Sequence, residues 1–299
     1  CLMFQFFANI FGYVLELLYN ITSNYGLAII LFTVIVKIIF LPFSIKQQKT
    51  VKKSAKVQEK MKVIQVKYKN NPEKMNQEIM NLYKTEKMNP FSGCLTAIVQ
   101  IILLFSIFYL VRSPLTYMEK MSSEDINKYT TQIQESGKSV SAAYPEIDII
   151  REYEFLKEKN PDDANIEKAN LEMNFLGLDL SKVPQQNLTD YTVYIIPLLY
   201  ILSSFISIRM TTAMQQKASK KAKDAVIDGT TGKELVPEEN NEVDAVMQTN
   251  KMMSWMMPIM SISVALVAPL GLALYWLTSN ILMIIERLVL DKVIKSEEE

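Results

Sequence analysis

GLAIILFTVIVKIIFLPFSIKQ, residues 26–47, decides how the rest of the chain is read. Up to Lys46 it holds a single charge, Lys37, and it is otherwise long and apolar enough to cross a bilayer core, which takes ~20 residues. Similar runs, almost free of charge, stand at 94–111, 192–208, 254–268 and 271–290. Between them the chain is dense in lysine, aspartate and glutamate. This bunching is how a sequence with 21% charged residues keeps a mean hydropathy of +0.09. The pattern predicts an all-α polytopic membrane protein, a bundle of five transmembrane helices.

The segments around the spans have distinct characters. Residues 1–23 are apolar but broken by Gln5, Asn9, Gly12 and Glu16, with Phe4, Phe7, Phe11, Leu15 and Leu18 at helical spacing. That suits an interfacial amphipathic helix on the external side. Cys1 is a candidate lipidation site, because lipoprotein-type processing leaves a lipidated cysteine at the new N-terminus; a trimmed chain reads equally well. Residues 24–113 hold the first two spans, about Tyr25 to Ile45 and Phe91 to Val111. Between them, residues 46–90 carry 12 lysines and four glutamates. Val57, Met61, Ile64 and Tyr68 keep helical spacing there, as do Met75, Ile79 and Leu82 after Asn70-Asn71-Pro72, which predicts a basic αα-hairpin.

Residues 114–190 have eight basic and 15 acidic side chains and are expected to form a long loop with short helices. The loop ends in an apolar patch, NFLGLDLS (174–181), suited to resting on the membrane surface. Residues 191–291 hold spans three to five, about 191–208, 252–268 and 271–290, with a loop at 209–251. A short tail, 292–299, completes the chain. Lysine and arginine collect on cytoplasmic loops, so the hairpin, the 209–251 loop and the tail read as cytoplasmic, and the acidic 114–190 loop as extracytoplasmic. The N-terminus is then outside and the C-terminus inside.

Much chemistry is excluded. The chain has no histidine, so there is no Ser-His-Asp or Cys-His nucleophile and no HExxH metal site. Two cysteines do not make a zinc site or a disulfide framework. GTTGKE (229–234) lacks the spacing of a phosphate-binding loop, and zero net charge argues against nucleic acid as a partner. The composition reads as a protein that is not an enzyme and needs no cofactor or metal.

Lys37 is the residue that asks for a function. A lysine in mid-span costs ~2.5–3.5 kcal/mol on insertion scales, and such residues usually face a bundle interior or a wet cavity. Snorkelling toward the headgroups is the plainer alternative. Thr33 lies one turn before it on the same face. Weakly polar stripes recur on the other spans: Thr96 and Gln100, Ser203 and Ser207, Ser254 and Ser261, then Tyr275 and Ser279 with Trp276 and Asn280 beside them. Any one serine reads best as an interhelical hydrogen bond. Together the stripes predict a shared hydrophilic concavity, with no acidic residue inside the spans to pair with Lys37. The methionine run from Met247 to Met260 reads equally as apolar filler or as an adaptable apolar surface.

Four stretches in order resemble the YidC/Oxa membrane protein insertase family, and its bacterial YidC branch most closely. They are GLAIILFTVIVKIIFLPFSIKQ (26–47), LYKTEKMNPFSGCLTAIVQ (82–100), FLGLDLS (175–181), and MMSWMMPIM with APLGLALYWLTSN (252–280). The resemblance implies a protein of the bacterial cell membrane that inserts and helps fold other membrane proteins, alone or beside a Sec translocon. It implies a cationic groove open to cytoplasm and lipid, and nascent membrane proteins as partners. The family's groove arginine falls at Lys37, which keeps the charge but loses the bidentate fork. Thr33, Gln100, Tyr275 and Trp276 match other groove-side positions, with Ser203, Ser207 and Ser279 on the same polar stripes. The short acidic tail departs from the long basic tails that contact the ribosome, leaving the basic hairpin for that contact. A small secondary transporter or channel is the rival reading, weakened by the lack of a visible internal repeat.

Overall fold

The computed structural model of the chain describes residues 2–68, 71–86, 92–225 and 265–298. Within these residues, helices cover the apolar runs at 26–47, 94–111, 195–208 and 271–290. Helix α1 spans Leu2–Thr22 and α2 spans Tyr25–Lys67. Local chemistry sets the joint between them. Ser23 takes φ +49 and its N–H bonds back to Tyr19 O at 2.7 Å. Asn24 Oδ1 then accepts from Leu27 N–H at 3.1 Å, as the N-cap of α2.

Helix α2 is 43 residues long, apolar at first and lysine-rich later, with Pro42 inside it. The sequence reading keeps span one apart from the basic segment after it. Residues 46–67 are good helix formers without a stop signal, so the helix runs on. Helix α3, Pro72–Thr85, starts with Pro72 behind an N-cap, Asn71, whose Oδ1 accepts from Lys74 N–H at 3.1 Å. It returns beside the end of α2, where Lys60 pairs with Glu86 and the Tyr83 hydroxyl donates to Met61 Sδ at 3.6 Å.

Helix α4 covers Ser92–Arg112. Residues 114–190 form a folded layer rather than a loop. Helices α5 (Pro114–Tyr117), α6 (Ser123–Glu135), α7 (Pro145–Arg151) and α8 (Tyr153–Lys159) lead to a 3-10 turn at Ala164–Ala169. An antiparallel hairpin comes next, β1 (Asn174–Phe175) and β2 (Leu178–Asp179). Tyr129, Ile133, Ile149, Leu156 and Ala169 are wholly buried within this layer. Gln132 and Asn160 exchange amide hydrogen bonds of 3.1 and 2.7 Å, while Lys128 and the Tyr129 hydroxyl meet at Asp163 Oδ2. Glu146 is buried and accepts from the Thr116 N–H at 3.0 Å and its hydroxyl at 2.7 Å. Burial pushes that carboxyl above its ordinary range, and the Thr116 hydrogen bonds pull it part of the way back.

After a 3-10 turn at Tyr191–Tyr194 come α9 (Ile195–Ala225) and α10 (Leu270–Glu298). The first N–H groups of a helix have no partner inside it. Here one strand-like segment supplies partners for two helices. Tyr25 N–H donates to Glu172 O at 3.0 Å, Leu270 N–H to Lys182 O at 2.9 Å, and Gly271 N–H to Leu180 O at 2.9 Å. Residues 172–182 therefore tie the N-terminal ends of α2 and α10 together.

Among the described residues, Tyr25–Thr50, Tyr191–Met210 and Leu270–Leu290 are long and apolar enough to cross a membrane, with hydropathies of 2.6, 1.8 and 1.4. Helix α4 adds a shorter apolar length, Ile101–Arg112. Of the expected span 252–268 only residues 265–268 are described, with a helical turn at 265–267, and the methionine run, GTTGKE and Cys1 lie outside the described residues. The chain falls into two compact units. One takes in α1, α2 to Ile39, the stretch Gln100–Ser204 and α10; the other takes in the rest of α2, α3, α4 to Val99, and α9 from Phe205.

Helix α1 is apolar on both sides. Ala8, Leu15 and Leu18 are buried, while Met3, Phe6, Ile10, Tyr13, Leu17 and Ile21 form an exposed stripe. Phe11 meets Phe32 edge to face with ring centres 5.7 Å apart, and Phe4 meets Phe105 in a tilted pair at 5.3 Å. The closest approach is at Gly12, where a Cβ would sit 1.8 Å from Tyr117 O. Helix propensity alone would make Gly12→Ala stabilising by about 1 kcal/mol. Overpacking against a backbone oxygen costs about 1–3 kcal/mol or more, so the net sign should be destabilising. A drop in melting temperature of Gly12→Ala in detergent, measured by scanning fluorimetry, is the expected outcome; a rise would mean that α1 is not seated on Tyr117.

Candidate functional site

The residues singled out by their polarity lie on α2, α9 and α10, with Thr96 and Gln100 on α4 and Ser254 and Ser261 outside the described residues. Thr33 is buried, and its hydroxyl donates to Ile29 O at 2.6 Å, one turn back on its own helix. Ser203 donates to Tyr200 O at 2.8 Å and accepts from Asn280 Nδ2 at 2.9 Å. The same amide reaches Ser204 Oγ at 3.1 Å. Tyr275 is buried with Ser279 as its hydroxyl partner. The Trp276 ring lies 6.1 Å from that of Tyr200. Ser207, one turn beyond Ser203, is buried as well. Gln100 falls on the described backbone of α4, and its side chain lies outside the described atoms.

Two groupings result. The hydroxyls of Ser203 and Ser204 with the Asn280 amide form a polar clamp between α9 and α10, flanked by the Tyr200–Trp276 ring contact. Such bonds fasten helices together, which is the plainer reading of each serine. Lys37 belongs to the other grouping. It is half-buried one turn beyond Thr33 and lies within electrostatic reach of Glu286 and Arg287 on α10.

This corrects one expectation. Lys37 does have an acidic neighbour, since Glu286 on α10 lies within electrostatic reach of it. The sequence reading places Glu286 at the inner end of the last span and passes over Ser204 and Arg287. It treats Asn280 only as a companion of Trp276. The signals are present in the chain: Ser203 and Ser204 are adjacent, and Asn280 comes one helical turn after Trp276, on the same face.

Comparison with known proteins adds the lineage. The family model described as the 60Kd inner membrane protein matches residues 17–298. The membrane protein insertase YidC of Treponema denticola is 26% identical over 287 residues, covering 96% of this chain and 38% of that protein. That of Syntrophobacter fumaroxidans is 46% identical over 105 residues, 35% of this chain and 19% of the relative. A third, from Caldanaerobacter subterraneus subsp. tengcongensis, is 40% identical over 102 residues, 34% of this chain and 50% of the relative. The matched stretches thus span half or less of the length of these relatives.

The clamp makes a measurable claim. Asn280→Ala removes the donor shared by Ser203 and Ser204 and should lower bundle stability by about 0.6–2 kcal/mol, the range of interhelical hydrogen bonds in membranes. Ser203→Ala should cost less, since Asn280 keeps Ser204. Unfolding equilibria in mixed micelles read both values.

Proposed function

The chain belongs to the 60Kd inner membrane protein family, the YidC/Oxa group, and from this premise we propose that it is an insertase: a protein that inserts and helps fold other membrane proteins. It is a multi-pass membrane protein of bacterial kind. In this reading five spans cross the bilayer: α2 to about Ile45, α4, the start of α9, the segment 252–268, and α10. The N-terminus and the 114–190 layer face outward. The basic 46–90 hairpin, the 209–251 loop and the C-terminus face the cytoplasm, as the lysine bias favours.

The observation that carries the reading is Lys37, a half-buried cation in mid-helix with Glu286 and Arg287, among the described residues, within electrostatic reach. The barrier to inserting a segment is mainly the passage of its polar flank across hydrocarbon. A hydrated groove around Lys37, with Thr33, Gln100, Ser203, Tyr275, Trp276 and Ser279 on its walls, would shorten that passage. Charge attraction would hold an acidic flank there. Release of the arriving apolar helix from water into lipid supplies the driving force, so the reading needs no catalysis, nucleotide or metal. Nascent membrane proteins are then the clients, and the lysine-covered hairpin is the surface offered to a ribosome or a Sec translocon.

Topology comes first among the tests. In a variant lacking Cys1 and Cys94, a single cysteine placed in 114–190 should react with an impermeant thiol reagent in intact cells. One placed in 46–90 should react only after lysis. The reverse pattern would overturn the orientation.

Capture is tested with one client whose translocated tail carries zero, one or two aspartates. At an effective dielectric of ~20, a carboxylate ~4 Å from Lys37 gains about 4 kcal/mol before desolvation. Even a fraction of that alters occupancy by an order of magnitude. Lys37→Ala should reduce insertion of the acidic tails in proportion to their charge, Lys37→Arg should keep it, and Lys37→Glu should reduce it most. Glu286 competes with the client for the same cations, so Glu286→Gln should shift yields the other way. Equal losses for all three tails in Lys37→Ala would mean that the lysine only hydrates the groove or snorkels.

A further inference from the structure

The β1–β2 hairpin ends in a turn that its own sequence does not favour. Leu176 takes φ +53 and Gly177 φ +80, a pair of left-handed positions that asparagine and then glycine fill most easily. A bulky leucine is rare there. Its side chain makes no use of the fold in return, since Leu176 is 86% exposed, the most exposed large apolar residue among those described. Strained backbone that presents a residue outward is a reason to look for what that residue meets.

The surroundings say what it meets. The hairpin is tied to the first residues of α2: Asn24 Nδ2 donates to Asn174 O at 2.7 Å, and the Phe175 ring fills the space beside Gly26. Through Leu180 and Lys182 it is tied to the first residues of α10. It also packs beside the 3-10 turn that opens the third span. Leu188 is 70% and Tyr191 82% exposed at that opening. From Tyr191 an exposed apolar stripe continues through Ile195, Leu198 and Leu202 at helical spacing, along the side of α9 that must face lipid. The hairpin tip therefore stands at the level where three spans leave the hydrocarbon.

We propose that Leu176, with Leu188 and Tyr191, forms an anchor that dips into the headgroup–acyl boundary of the leaflet holding the N-terminal end of α2. The occupant of this apolar surface is lipid, because the surface is continuous with the lipid-facing stripe of α9. Tyrosine is the residue type that suits such a depth, with an apolar ring and a hydroxyl in the wet zone. The anchor fixes the height of segment 172–182, and with it the N-terminal ends of α2 and α10.

Spin labels on the full chain in phosphatidylcholine–phosphatidylglycerol vesicles test this. Single cysteines replace Leu176 or Leu188 in a background without Cys1 and Cys94. Leu198→Cys serves as the lipid reference and Gln134→Cys, on the exposed side of α6, as the water reference. Labels at 176 and 188 should collide severalfold more often with oxygen, relative to a nickel chelate, than the label at 134 does. Chelate access at both sites equal to that at 134 would overturn the anchor. So would a label shielded from both quenchers, which would indicate a protein partner instead. Leu176 and Leu188 are so exposed that neither substitution removes a packing contact, so either site alone gives a reading.

Discussion

Hydrocarbon offers no hydrogen-bond partners, so every polar group along the apolar lengths of α2, α4, α9 and α10 has to be satisfied from within the protein. The structure meets this constraint locally wherever it can. Thr33, Ser106 and Ser203 each return their hydroxyl to a carbonyl three or four residues back. The Asn280 amide bonds across to Ser203 and Ser204, so the same constraint that hides the hydroxyls also joins two helices. Among the described residues, the buried Tyr25 hydroxyl finds no hydrogen-bond partner, and Lys37 answers instead to charges on α10.

The constraint recurs in another form at the helix ends. A span that begins at the membrane boundary leaves its first N–H groups pointing out of the helix. Side-chain capping by Asn24 takes one of them on α2, and the carbonyls of Glu172, Leu180 and Lys182 take others on α2 and α10. This gives residues 114–190 a structural purpose. The layer has its own core around Tyr129, Ile133 and Leu156, and it delivers segment 172–182 to the two helix ends. Gly12 and Gly26 fit the same scheme, each leaving room for a close approach by Tyr117 or Phe175.

The sequence is most legible where the physics is simplest. Long apolar runs give the apolar lengths of α2, α9 and α10 within a few residues, and Asn71-Pro72 marks the start of α3 through the N-cap rule. The 114–190 layer is illegible for the opposite reason. Its helices α7 and α8 have seven residues each, too few for a period to emerge, and its core residues are scattered among acidic side chains. Hydrogen bonds from Tyr25 to Glu172 or from Asn280 to Ser203 join residues far apart in sequence, and a single chain carries no signal of such pairs. The inward face of α1 is legible in Phe4, Phe11, Leu15 and Leu18; its exposed stripe is not, because an apolar residue reads the same whether it meets protein or lipid.

Charge gives a last constraint in the Lys37 group. Among the described residues, Lys37 lies within electrostatic reach of one glutamate, Glu286, and one arginine, Arg287. Removing any member of a partly buried charged group leaves another uncompensated, which costs more than the pair itself contributes. A group of opposite sign within reach can therefore keep Lys37 charged in the bundle at lower cost than it could alone. Glu286 and Arg287 are adjacent on α10, so they diverge by about 100° around the helix and cannot both aim at the same point. Lysine suits this arrangement better than its loss of the bidentate fork suggests: a compact ammonium on a four-carbon stem can move between partners, where a planar guanidinium would favour a single one.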